Sequence, residues 1–184
     1  MKLLACLFLS CLSLSALHAG EPQKATFAAG CFWCVEAIYE RVPGVTDAVS
    51  GFAGGKKDTP TYRSHGDHTE TVDVTFDPDV VSYEALLRLF WNSHDITDGR
   101  GVAPDFGRSY RPALFYRSPE QLATIERVQA ELQKGFDQPI ATEIVPFKKF
   151  WPAEDYHQDF VKLNPTHPYV KSISLPRIRE TLEK

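Results

Sequence analysis

The chain has 184 residues, 43% of them hydrophobic and 24% charged, with a formal net charge of −4. That length and balance predict one globular domain with an ordinary core. The mild acidity, with basic runs no longer than the pairs Lys56-Lys57 and Lys148-Lys149, excludes the electrostatic footprint of a nucleic-acid binder.

The N-terminus reads differently from the rest. After the single charge of Lys2, the stretch from Leu3 to Leu17 is apolar, with small residues Ala16 and Ala19 at its end. A bilayer-spanning helix needs about 20 apolar residues, so no stable membrane insertion is expected. Residues 1–20 are read as a cleaved secretory signal, cut after Ala19 or Gly20, and residues 21–184 as a single domain. The expected location is outside the cytoplasm, in a bacterial periplasm. The rival reading is a lipid anchor on Cys6 or Cys11, but both lie early in the apolar stretch. Cleavage removes those two cysteines and leaves Cys31 and Cys34.

The elements follow in order. "ATFAAG" predicts a buried strand, and "WCVEAIYERV" a helix stopped by Pro43-Gly44. "VTDAVSGFAGG" reads as a strand ending in glycines, and residues 56–67 as loop. "TETVDVTFDP" alternates Val72, Val74 and Phe76 with polar neighbours, a half-buried strand. Ser82 caps a helix through "YEALLRLFWNSH", with Leu86, Leu87, Phe90 and Trp91 on one face. Residues 95–111 form a long glycine-bearing loop without periodicity, a length that is often functional. "PALFY" is a strand. "SPEQLATIERVQAELQKG" is the clearest helix, with Ser118 as cap, Pro119 at its first position, Gln121 completing a capping box and Gly135 at its end. "TEIVPF" is a last strand, and the tail from Trp151 is mostly irregular with a short final helix. Strands and helices mix without regular alternation, which predicts an α+β fold with helices packed on a sheet.

The segment "GCFWC", Gly30 to Cys34, carries the chemistry. Export permits a disulfide, but two thiols three apart close too small a loop to staple a domain. Redox work or half a metal site is the stronger explanation. Where a strand feeds a helix at Gly30, Cys31 lies at the helix N-terminus, whose amides and dipole favour a thiolate. Cys34, one turn on, shares its face. Cys31 can then be a nucleophile and Cys34 its disulfide partner. Phe32 and Trp33 either wall the nucleophile or simply fill the core.

"GCFWCVEAIYERVPGV" resembles the active-site segment of the type A peptide methionine sulfoxide reductases. "SGFAGG", "PTYRSHGDHTETVDVTFDP", "YEALLRLFWNSHD", "DFGRSYRPALFY" and "FWPAEDYHQDF" resemble the family's other blocks, in order, from about Thr26 to Pro168. The resemblance implies a two-layer α+β sandwich with a mixed, mainly antiparallel sheet and a ferredoxin-like core, long irregular loops and a C-terminal coil. It implies reduction of methionine S-sulfoxide, in proteins and as the free amino acid, and so the repair of oxidised exported proteins.

A sulfoxide sulfur becomes electrophilic when its oxygen is protonated, so the site needs a soft nucleophile, an acid and an apolar slot for the methyl group. By resemblance Cys31 is the nucleophile and Glu70 the acid, kept protonated by burial. Tyr62 and Tyr110 are the phenols that hold the sulfoxide oxygen. Phe32 and Trp33 form the apolar wall, and Asp105 is a loop carboxylate that orients other groups. Cys31 becomes a sulfenic acid, Cys34 attacks it to form a disulfide, and a thioredoxin-like dithiol restores both thiols. No cofactor or metal is implied, and a monomer is expected. His68 falls on the family's histidine before the acid, in a supporting role. His65 reads as a surface histidine. His157 holds the C-terminal coil near the site or packs at the surface.

The chain departs from the family's pattern at Asp67, where the family has glycine, at Ser109 and Pro112, where it has a glutamine and a serine, and in the spelling of the loop around Asp105. It also has no cysteine after Cys34, which leaves Cys34 or an outside thiol as resolver. The alternative enzyme reading is a thioredoxin-like thiol-disulfide oxidoreductase, in which Tyr62, Glu70 and Tyr110 have no role. A zinc module built on Cys31, Cys34 and two histidines lacks tight histidine spacing. In a third reading, a non-enzymatic binding protein, the cysteine pair is only a local staple.

Overall fold

The computed structural model describes residues 20–183. The segment read as a secretory signal, with Cys6 and Cys11, lies outside the described residues except for Gly20. β1 (Gln23–Ala28) runs into α1 (Phe32–Tyr39), and β2 (Val45–Ala53) and β3 (Thr69–Phe76) form an antiparallel pair. α2 (Tyr83–Asn92) starts the return to β6 (Ala113–Tyr116) and passes through a small hairpin of β4 (Gly101–Val102) and β5 (Asp105–Phe106). α3 (Pro119–Leu132), β7 (Glu143–Pro146) and β8 (Phe150–Pro152) follow. The chain closes with α4 (Phe160–Leu163), a π-helical turn at Val170–Ser174, and α5 (Leu175–Leu182).

The main sheet has the order β7-β6-β1-β3-β2-β8. Every pair is antiparallel except β6 with β7. Its centre, β6-β1-β3-β2, has two crossovers that each skip a strand, the ferredoxin-like arrangement. The expected α+β fold is the observed one.

The alternation in β3 sets the layers. Val72, Val74 and Phe76 point to one face and pack with Phe27, with Phe32, Val35 and Tyr39 of α1, and with Leu86, Leu87 and Phe90 of α2. Burying large apolar side chains of this kind stabilises by about 1.5–3 kcal/mol each, which fixes the helices on this face. On the other face Ala28, Ala53, Ala113 and Phe115 form a thinner layer under Val145 and Phe147. Buried Asp73 accepts there from Thr26 at 2.7 Å and pairs with Lys24 and Arg117. Caps fall where the sequence puts them: Ser82 accepts from Ala85 N at 3.2 Å and Ser118 from Gln121 N at 3.3 Å. Gln121 reaches back to the amide of Arg117, one residue before the cap.

Two regions depart from the sequence reading. The loop of residues 95–111 contains the β4–β5 hairpin and a 3-10 turn at Arg108–Tyr110. The tail holds β8, which extends the sheet against β2, and a helix over residues 170–182. β8 needs Gly51 opposite it, since a Cβ there would meet the carbonyl oxygen of Trp151 at 2.3 Å. Strands of two or three residues are too short to show a period, so only their partners define them. Among the described residues no helix is long and apolar enough to cross a membrane.

Candidate active site

The antiparallel register, with Phe27 opposite Val72, places the chain leaving β1 beside the start of β3, where Glu70 sits. Between β1 and α1 the backbone turns through Gly30 at φ +73. A Cβ on Gly30 would lie 2.7 Å from Cβ of Val102, so both conformation and the close approach of the hairpin require glycine. The turn leaves Cys31 as the N-cap of α1, and its carbonyl accepts from Cys34 N at 3.1 Å and Val35 N at 3.3 Å. Cys31 is 6% exposed and Cys34 fully buried, and both are free thiols.

Glu70 is 1% exposed, and its Oε2 accepts from the amide of Phe32 at 3.0 Å. Burial pushes this carboxyl up to about 8, against the pull of the Phe32 amide, and the charges of Asp105 and Cys34 add to the rise. Glu70 is therefore a carboxylic acid at neutral pH. Tyr62 and Tyr110 are half-buried at the same place. Burial raises both phenols, Tyr62 to about 12, and each also feels Glu70, Asp105 and Cys31. Both thus remain hydrogen-bond donors at neutral pH.

The two sulfurs share their proton unequally. The thiol of Cys31 is raised by its hydrogen bond to Cys34, then by burial and by the charges of Cys34 and Glu70. Cys34 is drawn down to about 6 by the hydrogen bond from Cys31, with help from the Arg177 charge and Ser174. The sequence argument puts the anion on Cys31 because of the helix N-terminus. In the fold the hydrogen bond to Cys34 and burial raise the Cys31 thiol against the pull of the helix N-terminus, while Arg177 and Ser174 favour the anion of Cys34. Such a pair titrates as a unit.

The apolar wall is built by both aromatics of the motif. Phe32 is 1% exposed and packs against Phe52, Tyr62 and His157, with centroids 5.8, 6.1 and 5.1 Å away. Trp33 is half-buried, stacked on Phe160 at 3.7 Å and edge-on to Tyr169 at 5.9 Å. Its Nε1 donates to His157 Nδ1 at 3.0 Å. His157 is thus a buried prop for the wall, with no partner for its Nε2 among the described residues.

All of the predicted site residues, Cys31, Phe32, Trp33, Cys34, Tyr62, Glu70, Asp105 and Tyr110, gather around this point. The departures from the family pattern are structurally used. Asp67 accepts from the amide of Lys56 at 2.8 Å and closes the neck of the loop that carries Tyr62. Ser109 lies 2.7 Å from His65 Nε2, whose ring stacks on Phe52. His68 is 2% exposed, with Nδ1 accepting from Gly55 N at 3.1 Å and Nε2 bonded to the Lys57 carbonyl at 2.8 Å. It holds the glycine turn ahead of β3.

Sequence reasoning misses the contribution of the tail. Tyr169 donates to Asp105 Oδ2, and its ring stands edge-on to Trp33 beside the thiols. Glu154 accepts from the Tyr62 amide at 3.2 Å. Glu36, 2% exposed, accepts from Ser50 Oγ at 2.8 Å and Asp159 N at 3.1 Å, which ties α1 to the tail. The family block "AEDYHQDF" is the one signal that pointed here. Among the described residues no group of three His, Cys, Asp or Glu is placed to hold a metal ion.

A nucleophilic thiol, a neutral carboxylic acid and two phenols around an apolar wall can protonate a sulfoxide oxygen and attack its sulfur. The chain matches the family model "Peptide methionine sulfoxide reductase" over residues 23–184. It is 51% identical over 148 residues to "Peptide methionine sulfoxide reductase MsrA/MsrB" of Vibrio cholerae, covering 77% of this chain but 39% of that longer protein. It is 46% identical to "Peptide methionine sulfoxide reductase MsrA 2" of Synechocystis, covering 86% of this chain and 77% of that one. Reduced Mxr1 from Saccharomyces cerevisiae superposes with a TM-score of 0.74 at 33% identity, covering 79% of this chain and 87% of the yeast protein. The same yeast protein in complex with Trx2 superposes at 0.56, with 28% identity and 76% and 84% coverage. Sequence, fold and site agree: the chain belongs to the type A peptide methionine sulfoxide reductases, oxidoreductases that act on methionine sulfoxide.

Proposed function

We propose that this chain reduces the S epimer of methionine sulfoxide, in proteins and as the free amino acid, by a cycle confined to Cys31 and Cys34. Glu70 protonates the sulfoxide oxygen while Tyr62 and Tyr110 hold it, and Cys31 attacks the sulfur. Oxygen passes to Cys31, so methionine and a sulfenic acid form together and the proton count balances. Cys34 then displaces the hydroxyl as water and closes a disulfide. A thioredoxin-like dithiol reopens it by exchange, a role supported by the yeast relative's complex with Trx2. The observation that carries the reading is the neutral Glu70 carboxyl tied to the Phe32 amide, one residue from the nucleophile. An ordinary thioredoxin-like oxidoreductase has no use for it. The apolar leader supports action on exported proteins, and N-terminal sequencing of the secreted chain tests that part.

The deciding assay offers each sulfoxide epimer of an acetylated methionine ester with and without dithiol. Reduction of the S epimer alone, with turnover only when dithiol is present, is expected. Reduction of insulin disulfides without sulfoxide reduction would overturn the proposal in favour of the thioredoxin-like reading.

A further inference from the structure

Cys34 sits against a segment that the cycle has not used. Its Sγ lies 3.3 Å from Oγ of Ser174, and both residues are fully buried. Ser174 ends the π-helical turn of residues 170–174, and three residues on α5 presents Arg177. The guanidinium of Arg177 is fixed by two carbonyls, Ala29 O at 2.7 Å and Ser93 O at 3.2 Å, which anchor it beside the turn into Cys31. A π-turn widens the helix by one residue per turn, and such turns cluster at working sites. Here it sets the hydroxyl against the sulfur and leaves the Arg177 charge near enough for Cys34 to feel it.

We propose that Ser174 and Arg177 are positioning residues that hold Cys34 as the attacking anion during disulfide formation. The inference rests on the reading of Cys34 as the resolving thiol. It follows from what changes during the cycle. In the resting enzyme the main partner favouring the Cys34 thiolate is the thiol of Cys31. Once Cys31 is a sulfenic acid, that thiol is gone at the moment Cys34 must attack. Of the groups facing Cys34, Asp105 and ionised Glu70 oppose its anion, and the neutral phenol of Tyr169 gives its hydrogen bond to Asp105 instead. Arg177 and Ser174 remain to favour it. In the step itself the Cys34 thiolate forms an S–S bond and the S–O bond of Cys31 breaks. Cys34 is oxidised and the sulfenic sulfur reduced by one formal unit each, so no outside oxidant or reductant is needed. The hydroxide leaves and takes a proton from solvent as water.

An opposite charge beside an ionisable group shifts it by about 1–3 pH units. Losing one unit of acidity cuts the thiolate roughly tenfold but raises its nucleophilicity roughly threefold, so the net slowing below the midpoint is roughly threefold per unit. The test is a quenched single turnover of the full-length enzyme on methionine sulfoxide from pH 5 to 10, reading methionine formed and thiols lost separately. Arg177→Met is expected to move the midpoint of thiol loss up by about one unit or more, without lowering its high-pH plateau. Ser174→Ala is expected to move it less, and Arg177→Lys to restore most of the wild-type midpoint. A packing defect would lower the plateau and leave the midpoint in place. Unmoved midpoints in both Ser174→Ala and Arg177→Met would overturn the inference, and Ser174→Ala with Arg177→Lys decides it should Arg177→Met not fold. Cys34→Ser separates the two levels: if that variant still recycles with a thioredoxin-like dithiol, the resolving role itself is wrong. Loss of recycling there, with unmoved midpoints in the other variants, sinks the positioning role alone.

Discussion

The amide of Phe32 donates to Oε2 of Glu70 across 3.0 Å, so one hydrogen bond joins the first turn of α1 to the first residues of β3. It fixes the acid next to the nucleophile while leaving the other carboxyl oxygen to carry the proton. Glu70 is protonated below about pH 8. The rate of methionine formation in a single turnover is expected to fall as pH rises through that value. Glu70→Gln keeps an acceptor for the amide but cannot give a proton. It should slow the step by roughly 100- to 10,000-fold and abolish the fall near pH 8. A variant as fast as wild type would remove Glu70 from the acid role.

Tyr62 and Tyr110 approach the same spot from a loop and from a 3-10 turn. If both donate to the oxygen as it gains charge, Tyr62→Phe and Tyr110→Phe should each lower the single-turnover rate by roughly 100-fold or more. Substrate affinity should change far less than rate. Equal losses in affinity and no loss in rate would make them binding residues only.

Glu36 predicts how stability depends on pH. Burial raises its carboxyl to about 7, against an ordinary value of 4.5, despite its bonds to Asp159 N and Ser50. The folded state thus holds a proton that the unfolded chain releases, and stability falls as pH rises between those values. Melting temperatures measured from pH 4.5 to 8 should decline, after Glu70 is taken into account by its Gln variant, and Glu36→Gln should flatten the decline further. A Glu36→Gln curve parallel to its parent would show that the group titrates normally.

Gly30 serves conformation and packing together. Gly30→Ala places a Cβ 2.7 Å from Val102 at φ +73. The cost falls on the β4–β5 hairpin that bears Asp105. Thermal unfolding should show a loss of about 1–3 kcal/mol, with slower methionine formation at temperatures where the variant is fully folded. A variant with wild-type stability and rate would show that the hairpin yields freely.

Much of this could be read from the residues. The alternation of Val72, Val74 and Phe76 and the caps at Ser82 and Ser118 define β3, α2 and α3 without any partner. The "GCFWC" segment, with Glu70 on an alternating strand, gave the chemistry once the family resemblance joined them across the chain. The tail was harder. Val170, Ser174, Ile178 and Thr181 are all buried and spaced as one helical face, a pattern that could have been found. Pro168, Pro176 and the polar Ser174 in that stripe obscured it. The surroundings of Cys34 were not legible at all, since they join it to Ser174 and Arg177, 140 and 143 positions away.

The residues from Ala153 onward bring His157 under the indole of Trp33, Tyr169 to Asp105 and Ser174 to Cys34. Without these contacts the indole of Trp33 loses its imidazole partner, Asp105 its phenol and Cys34 its hydroxyl. A cut after β8 would thus keep the nucleophile and its acid in the chain and remove the side chains packed around them.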